Sequence, residues 1–495
     1  MKGFWLVLAM VFGMGMAAKG ALENGSETEM RGKIPMKVCQ LQGYDGKALC
    51  ATYEVFEDRK AQTGRKIPLK VVVVPAKNEK TQPDPIFVFL GGPGLGAASL
   101  AGYLARQYDN LRDDRDLVLV DIRGTGASNP LSCSLLGPED SLQTYLEDMF
   151  DIDYVRRCRE DLSKRANLAL YTTDLAMADV NDVREALGYE KINAVGGSYG
   201  TRSVLEFIRQ FPEHVRTGIM TGLAPATVPI PQHFARDAQA AMDALIAACA
   251  ADPKCNETFP DFEEDLNRVL ARFDEGPVTQ TVKNPMTQKD ETVLLKRGVF
   301  TTALRAMLYG ANGAARIPLM ISKAADGDFS PFILYGAEYT KGLHEDLTDG
   351  FYLCVTCAED LPFIDVISAK MEARGTFLET YRVDQQRAAC ADWVRGGLDE
   401  GYRDPVVSDV PVLLMSGEID PVTPPYMGEK VLEGFKNGVH IKIPNTAHGI
   451  GNAADCLVPI IETFLRKGNG KKLKTGCVSK VQRPAFLLEM PESQE

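Results

Sequence analysis

The sequence predicts an α/β fold in which a mostly parallel central sheet is flanked by helices and carries a large helical insertion. Short β-branched runs end at glycine-rich turns, and amphipathic helical runs alternate with them. A long stretch in the middle of the chain then contains mostly helical patterns. Strands and helices in alternation predict parallel strands joined by right-handed crossovers.

The strands of the first half are recognised by their apolar runs. "PLKVVVVPA", "PIFVFL" and "DLVLVD" each predict a buried strand, and the last two end at "GGPGLG" and "IRGTGAS". "TTDLAMADVNDVREALG" predicts a crossover helix that ends at Gly188, before the strand "KINAVG". We therefore expect residues 18–226 to form the first part of the core.

The alternation of strand and helix stops after "RTGIMTGLAPA". "FARDAQAAMDALIAACAAD", "FEEDLNRVLARFDEG" and "KRGVFTTALRAMLYG" predict helices within an inserted subdomain over residues 227–404. Strands return in "VPVLLMSGEIDPVTP" and "VHIKIPNTAHGI". Residues 405–495 are therefore predicted to complete the core.

The charge and the first residues limit where the chain acts. The 495 residues carry a formal net charge of −12, which argues against nucleic acid or an anionic membrane as a partner, because both bind basic patches. "MKGFWLVLAMVFGMGMAAKG" is typical of a signal peptide, which we place at residues 1–17, and of export to the periplasm or the medium. A membrane anchor is the alternative, but the apolar block is shorter than the roughly 20 residues of a spanning helix. We expect no stable membrane insertion.

Eleven cysteines fit an exported chain, because disulfides persist in oxidising compartments. Proximity in sequence predicts five disulfides and leaves Cys354 unpaired. The predicted pairs are Cys39–Cys50, Cys133–Cys158, Cys249–Cys255, Cys357–Cys390 and Cys456–Cys477. Metal ligation by "CVTC" is the alternative, although a lone cysteine pair is a weak zinc signal. We expect no metal and no organic cofactor.

The stretch "INAVGGSYGTRSVLEF" places Ser198 between a strand and a helix. A serine hydroxyl becomes a useful nucleophile when a tight strand-to-helix turn exposes it beside a base. Gly196 and Gly200 supply the small residues that such a turn needs. The N–H of Tyr199, at the start of the helix, would face the oxyanion that forms during attack. The alternative is a glycine-rich turn with an incidental serine.

The mechanism requires a base and an acid that follow the serine in the order acid, histidine. Of five histidines, His448 in "NTAHG" is the best base, because it lies in the loop after the last predicted strand. The other four are predicted at a helix end, in the insertion or in a strand: His214, His233, His344 and His440.

The acid is expected just past the preceding strand. Asp420 in "GEIDPVTP" lies there, and the turn that contains Pro421 would direct it towards the histidine. Glu418 is the alternative and is predicted to be a solvated or capping carboxylate.

Two glycine-rich turns complete the pattern. The second oxyanion donor is predicted at Gly92 in "FLGGPG", with Gly91 as the alternative. In "DIRGTGAS" we predict that Asp121 and Arg123 form an ion pair that fixes the loop.

These segments together resemble the α/β-hydrolase peptidases of the proline iminopeptidase and tripeptidyl aminopeptidase group. "GGPG", "DIRGTGAS", "GGSYGTRSVLEFIRQFPEHV", "GEIDPVTP" and "AHG" carry the resemblance, from about residue 68 to 477. It implies an α/β-hydrolase fold with a helical lid, and Ser198, Asp420 and His448 as nucleophile, acid and base. The chain departs from the pattern at Leu90 and Ala447, where the family usually has histidine and glycine.

The long insertion and the paired cysteines look more like the exported tripeptidyl aminopeptidase branch. "CAEDLPF" is similar to a lid segment of that branch. A site that selects a cationic α-amino group needs a shielded carboxylate, and Glu359 is the candidate for substrate binding. The alternative is a surface acid on a lid helix.

The resemblance implies a serine exopeptidase that cleaves a tripeptide, or a single residue such as proline, from short peptides with a free N-terminus. A secreted carboxylesterase with the same triad is the alternative, because fold and triad serve both reactions. Amine recognition separates the two. The sequence leaves the oligomeric state open.

Overall fold

The computed structural model describes residues 27–134 and 137–490. The predicted signal peptide lies outside the described residues. In the part of the chain that is described, no helix is both long enough and apolar enough to cross a membrane.

The core is a ten-stranded, mostly parallel sheet, which confirms the predicted fold class. Its order is β1-β2-β3-β4-β6-β5-β7-β8-β11-β12. Strands β1 to β4 and the β4–β6 pair are antiparallel, and the neighbours from β6 to β12 are parallel. The strands of the described residues are β1 Thr28–Arg31, β2 Ile34–Leu41, β3 Tyr44–Phe56, β4 Lys66–Val74, β5 Ile86–Phe89, β6 Leu117–Val120, β7 Ile192–Gly197, β8 Val215–Thr221, β9 Val278–Lys283, β10 Asp290–Leu295, β11 Val412–Gly417 and β12 Gly438–Ile443.

The central strands are covered on both faces. Every residue of β5, β6 and β11 is buried, as expected for parallel strands between two layers of helices. The α-helices of the described residues are α1 Ala101–Gln107, α2 Ile152–Ser163, α3 Thr173–Leu187, α4 Tyr199–Gln210, α5 Phe234–Ala251, α6 Pro253–Thr258, α7 Phe262–Asp274, α8 Arg297–Met307, α9 Ala311–Ala314, α10 Ile317–Ala325, α11 Ser330–Asp346, α12 Asp349–Val355, α13 Val366–Glu372, α14 Tyr381–Ala391, α15 Pro425–Leu432 and α16 Ala454–Lys467.

Between β8 and β11 the described chain adds no strand to the large sheet. Helices α5 to α14 lie there, together with an antiparallel β9–β10 hairpin that the sequence analysis did not predict. This part has a core of its own, where the rings of Phe300 and Phe332 lie 4.3 Å apart between centroids and Phe273 packs against Phe300 at 4.9 Å. The predicted insertion boundaries, at 227 and 404, fall between the two strands.

All five predicted disulfides are present. Cys354 is buried and unpaired, and the indole Nε1 of Trp393 donates to its sulfur at 3.4 Å. Burial raises the pKa of the Cys354 thiol to about 12, so this cysteine is an inert part of the core.

The prediction that Asp121 pairs with Arg123 is wrong. Asp121 accepts hydrogen bonds from the amide and hydroxyl of Ser99 and from the amide of Ala127. Arg123 instead forms two hydrogen bonds to Asp179 on α3, at 2.7 and 2.9 Å. The two side chains, which are two positions apart in sequence, bind different partners, and both fix the loop.

Candidate active site

Ser198 occupies a strained turn between β7 and α4. Its backbone has φ 55° and ψ −125°, a region that a residue with a side chain rarely adopts. The flanking glycines are required by close approach: a Cβ on Gly196 would lie 2.4 Å from the carbonyl oxygen of Gly200, and one on Gly200 would lie 2.0 Å from that of Phe89. The chain therefore crosses itself at van der Waals distance and holds the serine at the end of the sheet.

Hydrogen bonds fix this turn from both sides. The amide of Ser198 donates to the carbonyl of Thr221, at the end of β8, at 2.9 Å. The amide and hydroxyl of Thr201 donate to the carbonyl of Ser198, and the Thr201 hydroxyl accepts from the amide of Ala224. The serine backbone is thus tied to the neighbouring strand and to its own helix.

The structure brings His448 and Asp420 together. Nδ1 of His448 donates to Oδ2 of Asp420 at 2.8 Å, and the two side chains are 3% and 0% exposed. The amides of Val422 and Thr423 donate to Oδ1, and the Thr423 hydroxyl donates to Oδ2. With its proton on Nδ1, the imidazole leaves Nε2 free to accept a proton.

Burial raises the pKa of Asp420, but the charge of His448 and the hydrogen bonds from His448 and Thr423 lower it, and the balance lies below the usual range. Asp420 is therefore an anion in the folded protein near neutral pH. The alternative acid, Glu418, is exposed.

Ser198 and His448 lie at the same end of strand β8. Gly222 directly follows Thr221, whose carbonyl binds the Ser198 amide, and a Cβ on Gly222 would lie 3.0 Å from Cε1 of His448. The three predicted triad residues therefore lie at the carboxyl edge of the sheet, although they are far apart in sequence.

The predicted oxyanion donors lie in the same wall. Gly92, Tyr199 and Ser198 line one cavity of about 750 Å³. Tyr199 is the first residue of α4, where an amide has no partner inside the helix. Gly92 has φ 109°, which only glycine adopts without strain.

The insertion covers this cavity and is hydrogen-bonded to two loops that carry predicted site residues. The amide and hydroxyl of Thr348 donate to the carbonyl of Gly94 in the glycine-rich loop. On the other side, the amide of Gly449 donates to the carbonyl of Tyr309 at 2.8 Å, and the Tyr309 ring meets the ring of His448 edge-on at 5.2 Å. Tyr309 also lines the cavity.

Glu359 lies behind the cavity wall rather than in it. It belongs to a π-helical turn, Thr356–Asp360, and is fully buried. Its carboxylate accepts from the amide and hydroxyl of Thr173 at 2.7 and 2.9 Å, from the hydroxyl of Tyr402, and from Nη1 of Arg202 at 3.3 Å. Burial raises the pKa of Glu359, although Arg202 and Tyr402 lower it.

The acid that lines the cavity at this turn is the next residue, Asp360. It accepts two hydrogen bonds from the guanidinium of Arg202, at 3.0 and 2.9 Å. The expectation that Glu359 contacts the substrate amine directly is therefore corrected, since protein donors already occupy both of its oxygens. A second acid in the wall, Asp349, has a hydrogen bond from the Tyr154 hydroxyl at 2.6 Å and lies 3.5 Å from His344.

Sequence reasoning missed Thr423, Tyr309 and Asp349. Thr423 follows Asp420 at the spacing of a local side-chain turn, which is the one signal that could have revealed it. Among the described residues, no group of three or more histidine, cysteine, aspartate and glutamate side chains is placed to hold a metal ion.

Two protein families match parts of the chain. Residues 84–258 match the alpha/beta hydrolase fold family, and residues 376–477 match the TAP-like protein family. Each match contains one part of the site: Ser198 falls in the first, and Asp420 with His448 in the second.

Three curated relatives are similar over different lengths. Serine protease Hip1 of Mycobacterium tuberculosis is 24% identical over 452 residues, which cover 86% of this chain and 86% of the relative. Tripeptidyl aminopeptidase of Streptomyces lividans is 29% identical over 139 residues, 26% of this chain and 25% of the relative. Proline iminopeptidase of Neisseria gonorrhoeae is 29% identical over 147 residues, 29% of this chain and 35% of the relative.

Proposed function

The chain belongs to the α/β-hydrolase family, and on that premise we propose that it is a serine exopeptidase that removes short units from the free N-terminus of peptides. One observation carries the proposal. Ser198 is held on a strained turn at the same sheet edge as a buried imidazole–carboxylate pair, and it lines a cavity of about 750 Å³ under the helical insertion. A cavity of that size accommodates a short peptide.

The first half of the reaction forms an acyl-enzyme. Nε2 of His448 takes the proton of Ser198 as its oxygen attacks the scissile carbonyl. The amides of Gly92 and Tyr199 donate to the oxyanion of the tetrahedral intermediate. Collapse of the intermediate expels the amine of the leaving peptide, which receives its proton from His448. Water then repeats the sequence and releases the N-terminal fragment.

Asp420 positions the imidazole and stabilises the positive charge that the ring carries after proton transfer. The Thr423 hydroxyl donates to the same carboxylate oxygen, Oδ2, that the imidazole contacts.

Selection of a free amine requires a carboxylate in the wall, and Asp349 fits that role. The α-amino group is a cation near neutral pH, while Asp360 is already neutralised by Arg202. Asp349 has no lysine or arginine partner among the described residues, and it directly follows Thr348, which binds the Gly94 carbonyl beside the oxyanion loop. Glu359 supports this wall indirectly, through its contact with Arg202.

Export completes the proposal. Five disulfides suit an oxidising compartment, so the protein acts on short peptides in the periplasm or outside the cell.

A pair of substrates tests the exopeptidase activity. We expect the purified, disulfide-intact protein to cleave a tripeptidyl anilide with a free amine, and to cleave its N-acetylated counterpart at least tenfold less efficiently in kcat/KM. The Ser198→Ala variant should lose about 10⁴-fold or more in kcat. Asp349→Asn should raise KM for the free-amine substrate, while Asp153→Asn, at an exposed position beside Tyr154, serves as the control. Equal cleavage of the blocked and free substrates would reject the exopeptidase and favour the carboxylesterase.

A further inference from the structure

Two arginines in the wall of the catalytic cavity lack the partners that buried cations normally have. Arg305 on α8 and Arg382 on α14 line the cavity and are only 6% and 2% exposed. In the described part of the chain, neither forms an ion pair with a carboxylate. Their surroundings are instead phenol hydroxyls and aromatic rings.

The donors of Arg382 are mostly unused. Nη2 donates to the hydroxyl of Tyr352 at 3.3 Å, and the guanidinium lies 5.6 Å from the ring centroid of Phe150. Nε and Nη1 are buried without a hydrogen-bond partner among the described residues. Unused N–H donors on a charged guanidinium suit an anionic acceptor such as a carboxylate.

Arg305 also has an unused donor, and it lies close to His448, the proposed base. Nη1 donates to the hydroxyl of Tyr309 at 2.8 Å, and Nε has no partner in the described residues. Its guanidinium stacks over Phe234, 4.5 Å from the centroid. Since the Tyr309 ring also contacts His448, a single side chain separates this cation from the catalytic imidazole.

The two arginines lie in the same cavity wall as Tyr352. Burial raises the pKa of Tyr352, while the charges of Arg382 and Arg305 both lower it. Tyr352 lines the cavity as well. Arg382 donates a hydrogen bond to this phenol, and all three side chains line the same cavity.

Two other buried arginines are neutralised by carboxylates. Arg123 binds Asp179, and Arg202 binds Asp360. Two acids of the cavity wall also have cationic partners already, since Asp360 pairs with Arg202 and Asp148 with Lys296. A desolvated charge without a counter-ion is costly, and the cost is offset if an anion enters the cavity with the substrate.

We propose that Arg305 and Arg382 form a subsite for a carboxylate of the peptide substrate. The proposal rests on the exopeptidase function and specifies its substrate class. The carboxylate belongs either to the C-terminus of a short peptide or to an acidic side chain. Both sources present the same planar anion to the two guanidinium groups.

Two peptide pairs identify the source. The first pair is tetra-alanine and its C-terminal amide, and the second is Ala-Ala-Glu-Ala amide and Ala-Ala-Gln-Ala amide. We expect the native protein to cleave the charged member of one pair about 10- to 100-fold more efficiently in kcat/KM, the range given by hydrogen bonds to charged groups. A preference within the first pair indicates the C-terminus, and one within the second indicates an acidic side chain.

Variants connect that preference to the arginines. Arg382→Met and Arg305→Met should reduce the ratio of kcat/KM for the charged peptide to that for the uncharged peptide to less than about threefold. Arg387→Met, at a half-exposed position on the same helix as Arg382, should retain it. Arg382→Met should also unfold at an equal or higher temperature than the native protein, because it removes an unpaired buried charge.

A binding measurement separates this proposal from the peptidase reaction. In the Ser198→Ala variant, the preferred acid should raise the melting temperature and its amide should not, and Arg382→Met introduced into that variant should abolish the difference. If free-amine peptides are cleaved but acid and amide behave alike in both assays, the carboxylate subsite is wrong and the exopeptidase stands. If no peptide is cleaved but the acid alone still stabilises the variant, the subsite stands and the exopeptidase is wrong. Absence of both effects rejects both.

Discussion

Replacement of Asp420 by asparagine tests the link between carboxylate and imidazole with the smallest change in shape. The variant keeps an oxygen for the amides of Val422 and Thr423, so the turn can form. It presents an NH₂ group where Oδ2 now accepts from Nδ1 of His448 at 2.8 Å. The imidazole must then carry its proton on Nε2, the atom that has to accept the proton of Ser198.

The size of the effect follows from charge and burial. The side chains of His448 and Asp420 are almost completely shielded from solvent. At an effective dielectric of about 20, Coulomb's law gives about 4–6 kcal/mol for unit charges roughly 3–4 Å apart. At about 1.4 kcal/mol per factor of ten, losing this stabilisation of the imidazolium lowers kcat by about 10³- to 10⁴-fold.

The assay measures kcat on a tripeptidyl anilide together with thermal unfolding. Glu418→Gln is the matched control, because Glu418 is exposed and lies two residues earlier in the same turn; it should keep the full rate. A folded Asp420→Asn variant that retains more than a tenth of the native kcat would refute the assignment of Asp420 as the positioning acid.

Two further predictions concern stability. Burial raises the pKa of Glu206 to about 7, although Gln210 and Arg209 lower it. The native state therefore holds a proton between pH 4.5 and 7 that the unfolded chain has released, and stability falls as the pH rises through this window. In urea titrations Glu206→Gln should match the native protein near pH 4.5 and exceed it by about 2–3 kcal/mol at pH 8; equal stability at both pH values would contradict this. Gly200→Ala should cost about 3 kcal/mol or prevent folding, because its Cβ would lie 2.0 Å from a strand carbonyl. Gly342→Ala, with open space around it, should change the stability by about 1 kcal/mol or less, and similar values for the two variants would refute the packing argument.

That Ser198, Asp420 and His448 lie at one edge of the sheet could be predicted because the proposed chemistry restricts their positions strongly. A nucleophile needs a turn with small neighbours, and its partners must follow strands that end at the same sheet edge. The disulfides could be predicted because each cysteine has its partner 6 to 33 residues away in sequence.

The elements that escaped prediction have weak patterns. Strands β1 to β3 form an antiparallel extension that leaves many side chains exposed. The β9–β10 hairpin is short and polar on one face, so its apolar period is hard to separate from that of the surrounding helices.

Glu359 and Asp360 illustrate a different reason why the sequence does not identify a residue that lines the cavity. Adjacent acids on a helix point about 100° apart, and a π-helical turn inserts one extra residue and changes which of them faces a cavity. Arg305 and Arg382 could not be found for a related reason. An amphipathic pattern marks them as polar positions, but the hollow that they line is formed by segments distant in sequence.

The hydrogen bond between Gly449 and Tyr309 couples the position of the insertion to that of the loop that carries His448. If residues 308–310 move away from the sheet, this hydrogen bond breaks or the loop of His448 moves with them. The imidazole of His448 therefore keeps its position only while this edge of the insertion stays in place. A protein whose cover is dislodged at this edge would therefore be idle even with its three proposed catalytic groups chemically intact.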